Sequence, residues 1–212
     1  MVDMSTSRAL SAAAPAADRP ARPARRRDPE ATRAAIIDGA LGFVEQHGRA
    51  PTAKEIAMQA GVSERSVFVH FADLDELRRA VGLRQAERWK ALAAPIDPGW
   101  PLERRVEALL DQRCRMYELM TPVRRVGLSE EGVSSAVASV MAAGDAWFRA
   151  DVSAVFAGEA AALPAAQEPG GLLDAVDAAV SWAAWDHLRH RRGLSAATTS
   201  AVLRRTVLAL LA

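Results

Sequence analysis

The sequence predicts an all-α fold in two parts, a short N-terminal body of three helices holding a helix-turn-helix and a larger C-terminal helical body. Three observations predict it. Ala, Leu, Arg and Glu dominate and β-branched runs are nearly absent, a composition of good helix formers. Apolar residues recur three and four apart along most of the chain, as one face of a helix requires. Capping residues and glycines punctuate those stretches at their ends. Of 212 residues 46 are alanine, so the 50% hydrophobic content overstates the oily surface to be buried. With 27 basic against 26 acidic residues the chain is nearly neutral at +1, and all but two of the basic residues are arginine.

Residues 1–27 are Ala, Pro and Arg, with six arginines and almost no large apolar side chain. Such a segment cannot bury enough surface to offset its ordering and is predicted to be a disordered basic arm. It ends in Arg25-Arg26-Arg27. Two readings of it stand open, a solubilising tail and an arm that lies on nucleic acid. Order is predicted to begin at Asp28, a helix cap, followed by Pro29, whose missing N–H suits the first helical position. Ile36, Ile37, Ala40, Leu41, Phe43 and Val44 form the apolar face of this first helix, which stops at Gly48. Thr52 and Glu55 have the spacing of a capping box for a second helix. Gly61 ends it, Ser63 caps a third helix from Glu64 to about Phe71, and Asp73 with Glu76 opens a fourth. The domain boundaries predicted are an arm over 1–27, the helix-turn-helix body over 28–81 and the C-terminal body over 82–212.

The rest reads as further helices: Pro101 to about Met120, a short element from Val123 to Leu128 after Pro122, Gly132 to about Phe156, Leu172 to about Arg192, and Ala196 to Leu211. A loop is predicted from Pro164 to Gly171, and no internal repeat is present. The single cysteine, Cys114, excludes an internal disulfide framework and any cysteine-based zinc site. The N-terminus has no signal-peptide core, and no uncharged apolar run is long enough to span a membrane, so a cytoplasmic location is expected.

Residues 52–71 have the spacing of a helix-turn-helix, whose second helix fits the major groove of B-DNA, where each base pair shows its own donor and acceptor pattern. The full string from Thr52 to Val81 is more specific. Thr52, Ile56-Ala57, Ala60-Gly61-Val62-Ser63, Ser66-Val67-Phe68, His70-Phe71 and Asp75-Glu76-Leu77 together resemble the DNA-binding segment of tetracycline-repressor (TetR) family transcriptional regulators. The last two predicted helices, with Trp185-Asp186-His187-Leu188-Arg189 and Gly193-Leu194-Ser195, resemble the dimerisation helices of that family. The resemblance implies a double-stranded DNA operator, a homodimer and a small-molecule effector. It implies that Thr52, Ala53 and Lys54 face the DNA backbone, and that Glu64, Arg65 and Ser66 point toward base edges. Phe68 and His70 would lie on the DNA-facing side, and Val62, Val67 and Phe71 would pack inward. Arg65 is either a bidentate reader of guanine or a phosphate or solvent contact. Val69 and Leu74 depart from an aromatic and a lysine that contact phosphate in many members, which predicts weaker non-specific binding. Six basic against eight acidic residues between positions 30 and 80 point the same way. Arg25, Arg26 and Arg27 are expected to compensate by reaching DNA.

Effector contacts are expected from Trp89, Met116, Tyr117, Met120, Trp147 and Phe148, a mostly apolar set that favours an apolar molecule. Ordinary core packing is the competing reading of the same residues. Dimerisation is expected through Leu172, Val176, Val180, Ala183, Leu188, Val202 and Leu208, which offer more apolar surface than a helical hairpin hides. His187 and His190 stand three apart, but no third ligand has fixed spacing, so no metal or cofactor is expected. No glycine-rich phosphate loop, nucleophile elbow or HExxH motif is present, and no enzymatic activity is expected. The sequence thus points to a ligand-responsive repressor, with a helical adaptor that does not bind DNA as the alternative.

Overall fold

A computed structural model of the protein describes residues 28–163 and 169–212. The arm, including Arg25, Arg26 and Arg27, lies outside the described residues, as do residues 164–168 of the expected loop. Among the described residues every regular element is helical.

The first helices are set by local chemistry. Helix α1 (Pro29–His47) opens with Asp28 Oδ1 accepting from the Glu30 amide at 3.0 Å, and it closes at Gly48. Gly48 has φ of 64°, a left-handed conformation that glycine adopts without a Cβ penalty. Helix α2 (Ala53–Ala60) carries the expected capping box: Thr52 Oγ1 accepts from the Glu55 amide, and Glu55 Oε2 accepts from the Thr52 amide at 2.9 Å. Gly61, also at φ 64°, turns the chain into α3 (Glu64–His70), where Ser63 Oγ accepts from the Ser66 amide at 3.1 Å. In α4 (Leu74–Lys90) Asp73 Oδ1 accepts from the Glu76 amide at 2.8 Å, while Glu76 reaches back one residue further, to the Ala72 amide.

Two apolar cores result. The first holds Ile36, Ala40, Ile56, Ala57, Val67, Phe71 and Leu77 from α1 to α4. The second is larger and is centred on Trp89, Tyr117, Phe148 and Trp185. Helix α4 belongs to both, since Leu77 lies in the first and Trp89 in the second.

The C-terminal body departs from expectation in three places. Helix α5 (Leu102–Glu130) runs unbroken through Pro122, where a stop and a separate short element are expected from sequence. A proline inside a helix costs about 3 kcal/mol. Burial of Met120, Thr121 and Val126 on both sides of it holds the helix continuous. After α6 (Ser135–Val155) and the short α7 (Ala157–Ala162), helix α8 (Pro169–Ala179) already includes the Pro-Gly-Gly end of the expected loop. The single helix expected to Arg192 is divided. The chain breaks at Ser181, whose hydroxyl accepts from the Ala184 amide and so starts α9 (Trp182–Asp186). A π-helical turn, His187–Arg191, follows, and α10 (Ala196–Leu211) completes the chain.

Helices α4 and α6 cross where Gly82 meets Val140. A Cβ at position 82 would lie 2.8 Å from Val140 Cγ1. The valine side chain is short and stiff, so it cannot swing clear. Gly82→Ala is therefore expected to destabilise the fold by about 1–2 kcal/mol, the overpacking cost less the helix-propensity gain. Adding Val140→Ala should recover most of that loss. Urea denaturation of the single and double variants checks it, and additive losses would disprove the steric account.

Candidate nucleic-acid interface

Helix α3 is seven residues long and is held on one side only. Val67 and the following Phe71 are each 1% exposed within the first core. Glu64, Arg65, Phe68 and Val69 face outward, with Ser66 and His70 half-buried beside them. Arg65 makes no ion pair among the described residues, and neither does Lys54 at the start of α2. Three other arginines of the N-terminal body are neutralised: Arg33 by Glu76, Arg49 by Glu55, and Arg78 by Asp75 and Glu130; exposed Arg79, on α4, makes no ion pair among the described residues. Asp38 and Glu45 are in turn held by Arg84 and Arg88 from the later part of α4. Most of the acidity between positions 30 and 80 is thus bound in ion pairs, and two cations remain available on α2 and α3.

Thr52 and Lys54 are exposed, but Ala53 is buried at 8%. Its methyl group packs inward because the capping box turns the first residue of α2 onto the core. What Ala53 can offer a phosphate is its first-turn amide, which has no carbonyl partner within the helix. Met58 and Val69, 74% and 71% exposed, extend the outward surface of α2 and α3. Met58 is not among the residues expected from sequence, whereas Val69 stands where the resemblance puts a phosphate-contacting aromatic. The helical offset of Met58 from buried Ile56 and Ala57 is the signal that places it outside.

Glu55 fixes the approach to α2. Its carboxylate takes hydrogen bonds from Arg49 and from the Thr52 amide, and these two, in that order, hold its pKa down at about 2. A depressed carboxylate stabilises the fold above the ordinary carboxylate range and loses that contribution as pH falls toward its folded value. The difference in melting temperature between the natural chain and Glu55→Gln is therefore expected to be constant above about pH 5 and to vanish near pH 2. A difference independent of pH would refute this.

The aromatic set expected to contact an effector is mostly occupied with itself. Trp89 stacks on Phe148 at 4.8 Å, and Tyr117 donates to the Val180 carbonyl at 2.7 Å. Burial pushes the Tyr117 hydroxyl up to about 12. Met116, Tyr117 and Phe148 are packed core, and the half-buried Trp147 sits edge-on against Trp89 and Phe148. Trp89 and Met120 alone of the expected residues line the apolar cavity of about 140 Å³ found elsewhere, between the two cores. Its walls come from α1 and α2 (Val44, Ile56), α4 (Leu77, Val81), α5 (Met120) and α6 (Val140).

Of the residues expected to pair two copies, Val176 and Val180 are 0% and 1% exposed. They fill the chain's own core: α8 packs on α6 and α10, and the Val180 carbonyl just after it takes the Tyr117 hydroxyl of α5. Leu172, Leu188 and Leu208 are half-buried; Ala183 and Val202 are exposed. His190 Nδ1 lies 3.1 Å from Asp186 Oδ1, and among the described residues no three potential ligands gather around a metal position. Burial raises the Cys114 thiol to about 11, which keeps it protonated and unreactive at neutral pH.

No family model and no curated protein matches the sequence. Solved structures do match. A transcriptional regulator from Rhodococcus sp. Rha1 superposes with a TM-score of 0.63 at 21% identity, over 86% of this chain and 95% of its own. A Rhodococcus sp. protein described as a TetR-family transcriptional regulator does so at 0.66 and 16% identity, over 85% and 99%. The chain has the TetR-family fold. A third match, the multidrug binding protein EbrR complexed with imidazole, gives 0.58 at 24% identity, over 86% and 92%. We call α1 to α4, which build the first core, the head, and α5 to α10, which build most of the second, the body. Among the described residues no helix is long and apolar enough to cross a membrane.

Proposed function

We propose that this chain is a sequence-specific DNA-binding transcriptional regulator, acting in the cytoplasm as a homodimeric repressor that a small apolar molecule releases from its operator. One observation carries the reading: α3 is anchored by Val67 and Phe71 while its opposite face presents Arg65 free of any ion pair among the described residues. A short helix fixed from behind, with Arg65 beside Glu64 in front, suits the major groove, where arginine pairs with guanine and a carboxylate accepts from cytosine. Lys54 and the amides at the start of α2 suit the adjoining phosphates. The Thr52 and Ser63 caps fix the angle between the two helices. Ala183, Val202, Leu208 and the neighbouring Leu210 supply the surface for a second copy. The likeness to EbrR, a multidrug binding protein, supports the ligand response.

Gel shift with the DNA upstream of the protein's own gene tests the assignment. The natural chain is expected to retain one fragment against competitor DNA. Arg65→Ala should weaken that complex about 5- to 150-fold, the equivalent of about 1–3 kcal/mol, with unchanged circular dichroism. Failure to retain any fragment, or an Arg65→Ala variant that binds as well, defeats the reading.

A further inference from the structure

The structure points to an effector site in the cavity at the joint between head and body, rather than among the stacked aromatics of the body. This rests on the regulator reading above and adds a location and a ligand class. We propose that the site takes a single-ring aromatic, or an aliphatic group of like size, ending in an oxygen acceptor. Three observations define that class. The volume, about 140 Å³, is close to that of an apolar protein cavity of roughly 150 Å³ known to bind benzene. The walls are chiefly aliphatic side chains together with Trp89, which suits an apolar body. Arg124 also lines the cavity, and its side chain is 11% exposed. Its Nη2 donates to Asp145 at 2.8 Å and its guanidinium lies over Trp182, yet its buried Nε has no acceptor among the described residues. A buried N–H is costly to leave unpaired, and because the Arg124 side chain lines the cavity, a small turn of it would offer Nε to an incoming oxygen.

The position makes the site regulatory. Val44 and Ile56 belong to the head, Met120 and Arg124 to the body, and α4 runs between them. A molecule seated there touches both parts, and it shifts the head wherever its affinity differs between the two arrangements.

Calorimetric titration of the full chain with benzoate and with toluene tests this. Gly144 lines the cavity, and a Cβ there meets nothing within 4 Å, so Gly144→Leu fills the space with little strain on the fold. Both probes are expected to bind the natural chain and to weaken at least tenfold in Gly144→Leu. Should that variant fail to fold, Ala86→Leu fills the cavity from the α4 wall. Arg124→Lys keeps the charge and removes Nε; it should weaken benzoate at least fivefold and leave toluene within twofold. Benzoate should also lower operator affinity at least fivefold in the natural chain and not in the filled variant. Absence of probe binding, binding indifferent to filling, an unchanged benzoate-to-toluene ratio in Arg124→Lys, or binding without effect on the operator each overturns the proposal. Gel shift on the same samples separates the two readings. DNA retained without probe binding defeats the cavity site alone, and probe binding with no DNA retained defeats the regulator.

Discussion

Asp151→Ala is expected to destabilise the folded chain by about 3–5 kcal/mol, because it strands a buried cation. Arg113 is 1% exposed and relies on a single nitrogen: Nη2 donates to Asp151 at 2.8 Å and to the Phe148 carbonyl at 2.9 Å. Its Nε and Nη1 have no acceptor among the described residues, although the guanidinium lies 4.3 Å from the Phe148 ring. Burial raises the Asp151 carboxyl against the opposing pull of Arg113, so even the intact pair is held at a cost. The double change Arg113→Met with Asp151→Leu should therefore be neutral or stabilising. Urea denaturation of the single and double variants gives both numbers. A single variant within about 1 kcal/mol of the natural chain would show that Arg113 is solvated by something else.

Phe71→Ala is expected to cost about 3–5 kcal/mol, and to cost it locally. Phe71 is 1% exposed, sits just after α3, and has the Arg33 guanidinium 4.4 Å from its ring centre. It is the largest side chain in a core of seven buried residues that is distinct from the core around Trp185. Without it α3 loses its anchor, while α5 to α10 keep theirs. Hydrogen exchange should then show lost protection from Pro29 to about Leu77 and retained protection from Leu102 to Val207, with operator binding abolished. A uniform loss along the chain would mean that the two cores melt as one.

How much of this was legible in the sequence follows from how local each cause is. The caps at Asp28, Thr52, Ser63 and Asp73 act within four residues, so each start of α1 to α4 is visible in the string, and the outward position of Arg65 follows from its place after Ser63. Pro122 misleads because a local rule is overridden by burial of Met120 and Val126 against distant helices. Ala53 misleads because the cap that exposes Thr52 turns the next methyl inward. The aromatic residues are read correctly as apolar and clustered, but a sequence does not say whether rings enclose a space or fill it. Trp89 stacks on Phe148 within the aromatic core, and the open volume lies at the joint, where small residues such as Ala86 and Gly144 leave room. Val176 and Val180 carry the same lesson, since an apolar stripe does not reveal whether it faces its own chain or another.

The glycine contact between α4 and α6 has a mechanical consequence. Gly82 is the midpoint of α4, with eight residues on either side from Leu74 to Lys90. At 1.5 Å per residue each arm is about 12 Å long. Close approach to Val140 at this midpoint would resist sliding and serve as the pivot of any tilt of α4. A tilt of about 5° then lifts Leu74 by roughly 1 Å and drops Lys90 by as much, given that rise per residue. The helix is a balanced lever with its fulcrum at a residue that has no side chain.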